Sequence, residues 1–176
     1  MKHRTAPGFT YFVTTKTWKN RDLFRVAENA EILVRCLLHY RDDEAYLLHE
    51  FVVMPNHLHL LVTPARDTSL EKAMQLIKGG SSHEIHKQRG HKMQIWHPGF
   101  HEESIRDQFD FLRKADYIRA NPVRAHLVEK SEAWAFCSAA NCYHCDPAPQ
   151  RLRIRTSGAE APGRQDGNVG AKAPTP

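Results

Sequence analysis

The apolar positions along the chain change period several times, and each change predicts an element. Phe9 to Thr15 (FTYFVTT) is aromatic and β-branched, which suits a strand. From Asn29 to Tyr40 the apolar residues Ile32, Leu33, Cys36, Leu37 and Tyr40 recur at helical spacing. Two strand-like stretches follow, Ala45 to Met54 and His57 to Thr63, parted by Pro55 and Asn56 in the manner of a hairpin. Ser69 opens a helix with the stripe Leu70, Ala73, Met74 and Ile77, which Gly79 and Gly80 should weaken or kink. Short extended pieces are predicted at Gln94 to Trp96 and Ser104 to Ile105, around a turn at Pro98 and Gly99. A last helix spans Asp107 to Ala120 and should stop at Pro122. Strand, helix, strand, strand, helix, strand, helix predicts an α+β fold of the ferredoxin-like type, an antiparallel sheet with helices packed on one face.

The 176 residues, 41% hydrophobic and 26% charged, suit one well-cored domain with a tail better than two domains. From Asp146 onward the composition turns to Pro, Gly and Ala, with hardly a large apolar residue after Ile154. Such a segment cannot bury enough surface to offset its ordering entropy. The expected division is therefore a domain over 1–146 and a disordered basic tail over 147–176. The net charge of +5 favours a polyanionic partner, but residues 147–176 hold five basic and two acidic side chains, so +3 of it lies in the tail.

Met1 to Arg4 is followed by mixed polar residues rather than a secretory signal, and the apolar runs are too short for a bilayer. A cytoplasmic location with no membrane contact is expected. There Cys36, Cys137, Cys142 and Cys145 should be reduced thiols. The last three, with His144, have a zinc-like spacing without a second ligand pair, so incidental cysteines are the better reading.

His57 and His59 fall on one predicted strand, where alternation points both imidazoles to one face together with Leu61, while Leu58 and Leu60 take the other. Neutral imidazoles are common metal ligands, yet an isolated His-x-His fits two surface histidines equally well and needs a partner elsewhere. On the last helix Phe111, Leu112, Ala115 and Ile118 define a buried face. Asp110, Arg113, Lys114, Tyr117 and Asn121 cluster opposite it. Tyr117 is thus off the core stripe, as a functional tyrosine or simply an exposed one would be.

Three segments, FVVMPNHLHLLV (51–62), IWHPGFH (95–101) and DYIRANPVRAHLV (116–128), together resemble the single-tyrosine HUH transposases, in order and separation nearest the REP-associated tyrosine transposase branch. The resemblance covers about residues 8 to 140. It implies that His57 and His59 bind a divalent metal, Mg²⁺ or Mn²⁺, that Asn121 adds a third ligand one helical turn past the tyrosine, and that Tyr117 is the nucleophile. Where members often carry Gly after the Asn-Pro, this chain has His126. The implied reaction is cleavage and rejoining of single-stranded, hairpin-associated DNA through a covalent 5′-phosphotyrosine. One ester replaces another, so no ATP is needed.

A phenol holds its proton at neutral pH, so a cation should sit beside Tyr117. Lys114 is a candidate, and a solvated helix lysine is an equal reading of it. His101 matches the family's Gly-Phe-His segment and could orient a ligand or only pack. Candidate DNA contacts are Arg119 and Arg124 near the tyrosine, Lys16 and Lys19 after the first strand, and Lys78, Lys87, Arg89 and Lys92 on and after the second helix. Monomer and homodimer are both open. A His-x-His amidohydrolase would need a barrel of roughly 250 residues, which this chain is too short to form. The other rival is a domesticated, catalytically inactive nucleic-acid-binding module on the same fold.

Overall fold

The computed structural model describes residues 8–90, 92–140, 142–150 and 152. Strand β1 (Tyr11–Lys16) leads through two single-turn 3-10 segments into helix α1 (Ala27–Asp42). The hairpin β2 (Tyr46–Met54) and β3 (His57–Pro64) follows, then α2 (Leu70–Arg89), β4 (His101–Ser104) and α3 (Gln108–Arg124). The sheet order is β2-β3-β1-β4 with β3 antiparallel to both of its neighbours and β4 antiparallel to β1. This is the split βαβ arrangement of ferredoxin-like folds, so the α+β class agrees with the sequence reading.

The helices, however, cover both faces of the sheet rather than one. The stripes of α1 and α2 pack with Val13, Phe51, Val53, Leu58, Leu60 and Val62. Helix α3 brings Phe111, Ala115 and Ile118 onto the opposite face, against Phe12, Val52, Met54 and Leu61. The cause is legible in β2, whose run Phe51-Val52-Val53-Met54 is apolar at every position and buried on both sides. The outer edge of β2 is covered as well. Val53 N–H donates to the Phe136 carbonyl and Ser138 N–H to the Phe51 carbonyl. Farther along, the Asp146 carboxylate takes the Leu48 N–H and the Arg41 guanidinium. An unpaired edge would invite pairing with another chain.

Two predicted breaks are not breaks. Helix α2 runs from Ser69, whose hydroxyl accepts the Lys72 N–H, through both glycines to a left-handed cap at Gly90. At Gly80 a Cβ would lie 2.6 Å from the Tyr40 hydroxyl, so this glycine admits close approach of α1. Helix α3, capped by Asp107, continues past Pro122 to Arg124. A proline in the last turn removes one helical hydrogen bond, and the end is closed by Ala125 N–H on the Asn121 carbonyl and Leu127 N–H on the Pro122 carbonyl. Strand β4 starts at His101, and Trp96 forms only an isolated bridge to Thr17.

Of the expected tail, Ala148 and Leu152 pack on the α3 side of the core, and residues 151 and 153–176 lie outside the described residues, as does the Met1 to Arg4 segment. No helix among the described residues is long and apolar enough to cross a membrane.

Candidate active site

The pleat of β3 turns His57 and His59 to the α3 face, their ring centroids 4.8 Å apart. Leu58 and Leu60 go to the α1/α2 core and Leu61 to the α3 core. On β1, Lys16 pairs with His57, Thr14 with His59 and Phe12 with Leu61, so these three share the histidine face. Helix α3 lies across that face and sets Tyr117 edge-on against His59, ring centroids 5.5 Å apart and planes at 73°. Phe12 completes the contact, stacked on His59 at 5.3 Å and edge-on to Tyr117 at 5.8 Å. Tyr117 stays 37% exposed, so its ring is held and its outer edge can be reached.

Both imidazoles are held at Nδ1. Asn56 Oδ1 lies 2.7 Å from His57 Nδ1, and Thr14 Oγ1 lies 2.8 Å from His59 Nδ1. The Asn56 oxygen can only accept, so it fixes the His57 proton on Nδ1 and leaves a lone pair on Nε2, whereas the Thr14 hydroxyl can accept from or donate to His59 Nδ1. Burial keeps both rings neutral. It lowers His57, helped by Lys16, and pushes His59 down to about 3, with His57, Lys114 and Lys16 adding to the effect.

Asn121 sits one turn past Tyr117 and donates Nδ2 to the Tyr117 carbonyl at 2.9 Å, so Oδ1 is the atom it could offer a metal. Among the described residues no group of three or more His, Cys, Asp or Glu side chains could hold a metal ion. A metal here would therefore rest on two imidazoles and an amide oxygen, a donor set that suits Mg²⁺ or Mn²⁺ when phosphate and water supply the remaining ligands. Cys137 and Cys145 belong to different core clusters and Cys142 is exposed.

The supporting residues are arranged differently from the sequence reading. Lys114 is not a solvated helix lysine. Its side chain is 15% exposed, with Nζ 2.6 Å from Glu103 Oε2 and 4.4 Å from the centre of the Phe12 ring. His101 faces the same way as His59, but Thr14 stands between them in the sheet, and the His101 Nε2 lies 3.5 Å from Glu103. The residues that orient the histidines are Thr14 and Asn56. Asn56 adjoins the HLH motif and so was visible in principle, whereas Thr14 is linked to it only by strand register. On α3, Leu112 is 52% exposed rather than buried, and Asp110 is buried rather than exposed. The Asp110 carboxylate is held by Arg113 at 2.6 Å and by the Arg106 N–H at 3.3 Å.

The basic residues divide into three groups. Arg124 lies over the Tyr117 ring at 5.3 Å, and Lys16 and Lys19 are exposed on and just past β1. Two others are already engaged: Arg119 with the buried Glu50 carboxylate, and Lys78 with the His97 and Gly99 carbonyls at 2.9 and 2.6 Å. Lys87, Arg89 and Lys92 are exposed at the end of α2, on the other side of the sheet from the histidines.

The family described as transposase IS200 like is matched over residues 11–121. The REP-associated tyrosine transposase of Escherichia coli (strain K12) is 28% identical over 142 residues, 80% of each chain. A solved structure of a REP-associated tyrosine transposase bound to a REP hairpin superposes with a TM-score of 0.67 at 25% identity, covering 92% of this chain and 97% of that one.

Proposed function

The chain belongs to the IS200-like transposase family, and on that footing we propose that it cleaves and rejoins single-stranded DNA beside a hairpin, with Tyr117 as the nucleophile. The observation that carries this reading is the Tyr117 ring resting on His59, at the rim of two buried imidazoles that are both held at Nδ1.

In this mechanism the Tyr117 oxygen bonds to the phosphorus of a phosphodiester and the bond from phosphorus to the 3′ oxygen breaks. The phenolic proton departs to solvent, the 3′ oxygen gains one, and the 5′ phosphate stays on the tyrosine. A 3′ hydroxyl from another strand reverses the step and regenerates the phenol. A bound Mg²⁺ or Mn²⁺ would withdraw charge from the non-bridging oxygens, and His57, His59 and Asn121 are the residues that would hold it. Asn56 fixes the His57 tautomer, Thr14 holds the His59 ring, Phe12 fixes the tilt of Tyr117, and the Arg124 guanidinium lies over the Tyr117 ring, where it can meet the phosphate. Lys114, salt-bridged to Glu103, ties α3 to β4 and so sets the height of the tyrosine above the sheet.

Lys16, Lys19 and Arg124, which border the histidine face, are the phosphate contacts this reading assigns at the site, while Lys87, Arg89 and Lys92 would meet only DNA that wraps past the sheet edge. The catalytic unit is taken as residues 1–146, with 147–176 adding charge. The chain acts in the cytoplasm, as a monomer or homodimer.

The test is incubation with a labelled DNA hairpin bearing single-stranded flanks and Mg²⁺ or Mn²⁺, followed by denaturing electrophoresis. A protein-DNA adduct should form, and Tyr117→Phe should abolish it while leaving DNA binding within about twofold, since one oxygen is removed. An adduct that persists in Tyr117→Phe assigns the nucleophile elsewhere. Binding without any adduct supports the inactive module instead.

A further inference from the structure

Pairing of β1 with β4 ends at Thr14 and His101, and the chain meets β1 again at the bridge between Thr17 and Trp96. Between these points residues 97–100 arch away from the strand. The arch is pinned at one end by His97 N–H on the Lys16 carbonyl, and from behind by the two bonds of Lys78 to the His97 and Gly99 carbonyls. Gly99 turns it at a φ of +73°. Under the arch is a cavity of about 500 Å³, lined by Thr14, Lys16, Asn20, His97, Phe100 and His101, with Thr15 also in its wall.

We propose that this cavity receives one unpaired nucleobase, that of the nucleotide adjoining the phosphate on the His57–His59 face. The proposal rests on the DNA-cleaving function above. Position is the first argument. Thr14 and Lys16 are the cross-strand partners of His59 and His57, so the cavity opens one to two strand spacings from the imidazoles, roughly 5–10 Å. That is the reach from a phosphate to the base of the next nucleotide.

Chemistry is the second. The volume falls in the range of small-ligand sites, about 300–1,000 Å³. The rings of Phe100, His97 and His101 offer faces for stacking, and Trp18 backs His97 at 6.1 Å. Asn20 brings an amide, which both donates and accepts, on a left-handed backbone with φ of 53°. A site built for phosphate alone would carry cations, and Lys16 is the one lysine or arginine in this wall.

The experiment uses the full chain and a DNA hairpin whose single-stranded flanks are randomised. The adducted DNA is recovered and sequenced, and so is the DNA bound by Tyr117→Phe, which reports binding without cleavage. A preference of about tenfold or more, the size of one good base contact, is expected at one position next to the cleaved phosphate. Asn20→Gly, which keeps the left-handed backbone, should reduce it to about twofold or less with the other positions unchanged. His97→Ala, which removes one stacking face but keeps the backbone bonds of the arch, should weaken the same preference. If both variants keep the wild-type preference, the cavity is not a base site, although cleavage stands. If neither pool holds DNA, the cleavage reading fails and this proposal with it.

Discussion

Replacing Arg119 by methionine separates a structural arginine from a DNA-binding one. The Glu50 side chain is 7% exposed and meets Arg119 and the Ser138 hydroxyl, at the point where the β2–β3 register shifts. Arg119→Met leaves that carboxylate with Ser138 alone. Breaking a fully buried ion pair costs about 3–5 kcal/mol, but the Arg119 side chain is 50% exposed, so water can partly replace it. The cost should therefore fall nearer 2–3 kcal/mol, or a drop in melting temperature of about 6–10 °C for a domain of this size. Thermal melts followed by circular dichroism read this directly. Glu50→Gln in the same chain should recover much of the loss, because a buried neutral amide no longer needs the cation, and the double-mutant cycle isolates the pair. A phosphate contact predicts the reverse: an unchanged melt and a salt dependence of DNA binding shallower by about one counterion. That second result would refute the structural assignment.

Thr14→Val keeps the shape of the side chain but removes the partner of His59 Nδ1, so Mn²⁺ affinity measured by calorimetry should fall by roughly 10–100-fold, with cleavage partly restored at higher metal. Unchanged affinity would mean that the hydrogen bond does not orient the ligand. At Asp146 burial raises the carboxyl, but Arg41 and the Leu48 N–H outweigh it and hold it below the usual carboxylate range. A depressed folded pKa gives stability that is present above the unfolded value near 4 and lost as pH falls through the folded one. The penalty of Asp146→Asn in urea unfolding, about 2 kcal/mol, should thus be constant from pH 7 to about 5 and shrink below about 4.

Much of the fold was readable because its signals are local. The hairpin was placed from Pro55-Asn56 between two β-rich runs, and the observed strands begin and end within one residue of that reading. The facing of His57, His59 and Leu61 followed from alternation alone. The errors came where a distant contact overrides a local rule. Gly80 looks like a helix breaker until Tyr40 of α1 is seen against its backbone. Leu112 and Asp110 exchange places because Arg106 and Arg113 draw the carboxylate in, a choice that helical periodicity cannot express.

The site divides along the same line. His57, His59 and Tyr117 stand out in the sequence because motif and spacing mark them, and the structure brings their side chains together through one sheet face and one helix. Thr14 and Phe12 were missed, since each meets His59 only through the register of β1 with β3, and Glu103 because its partner Lys114 arrives with the packing of α3. The charge count failed for a related reason. Lys78, Arg119 and Arg124 look alike in sequence, yet one holds a loop, one answers a buried carboxylate and one lies over the tyrosine. A net charge of +5 therefore overstates what a phosphate backbone meets at the site. With Arg119 and Lys78 already engaged, the phosphate attraction proposed at the histidine face is left to Lys16, Lys19 and Arg124, and in that proposal specificity has to come from groups that touch bases.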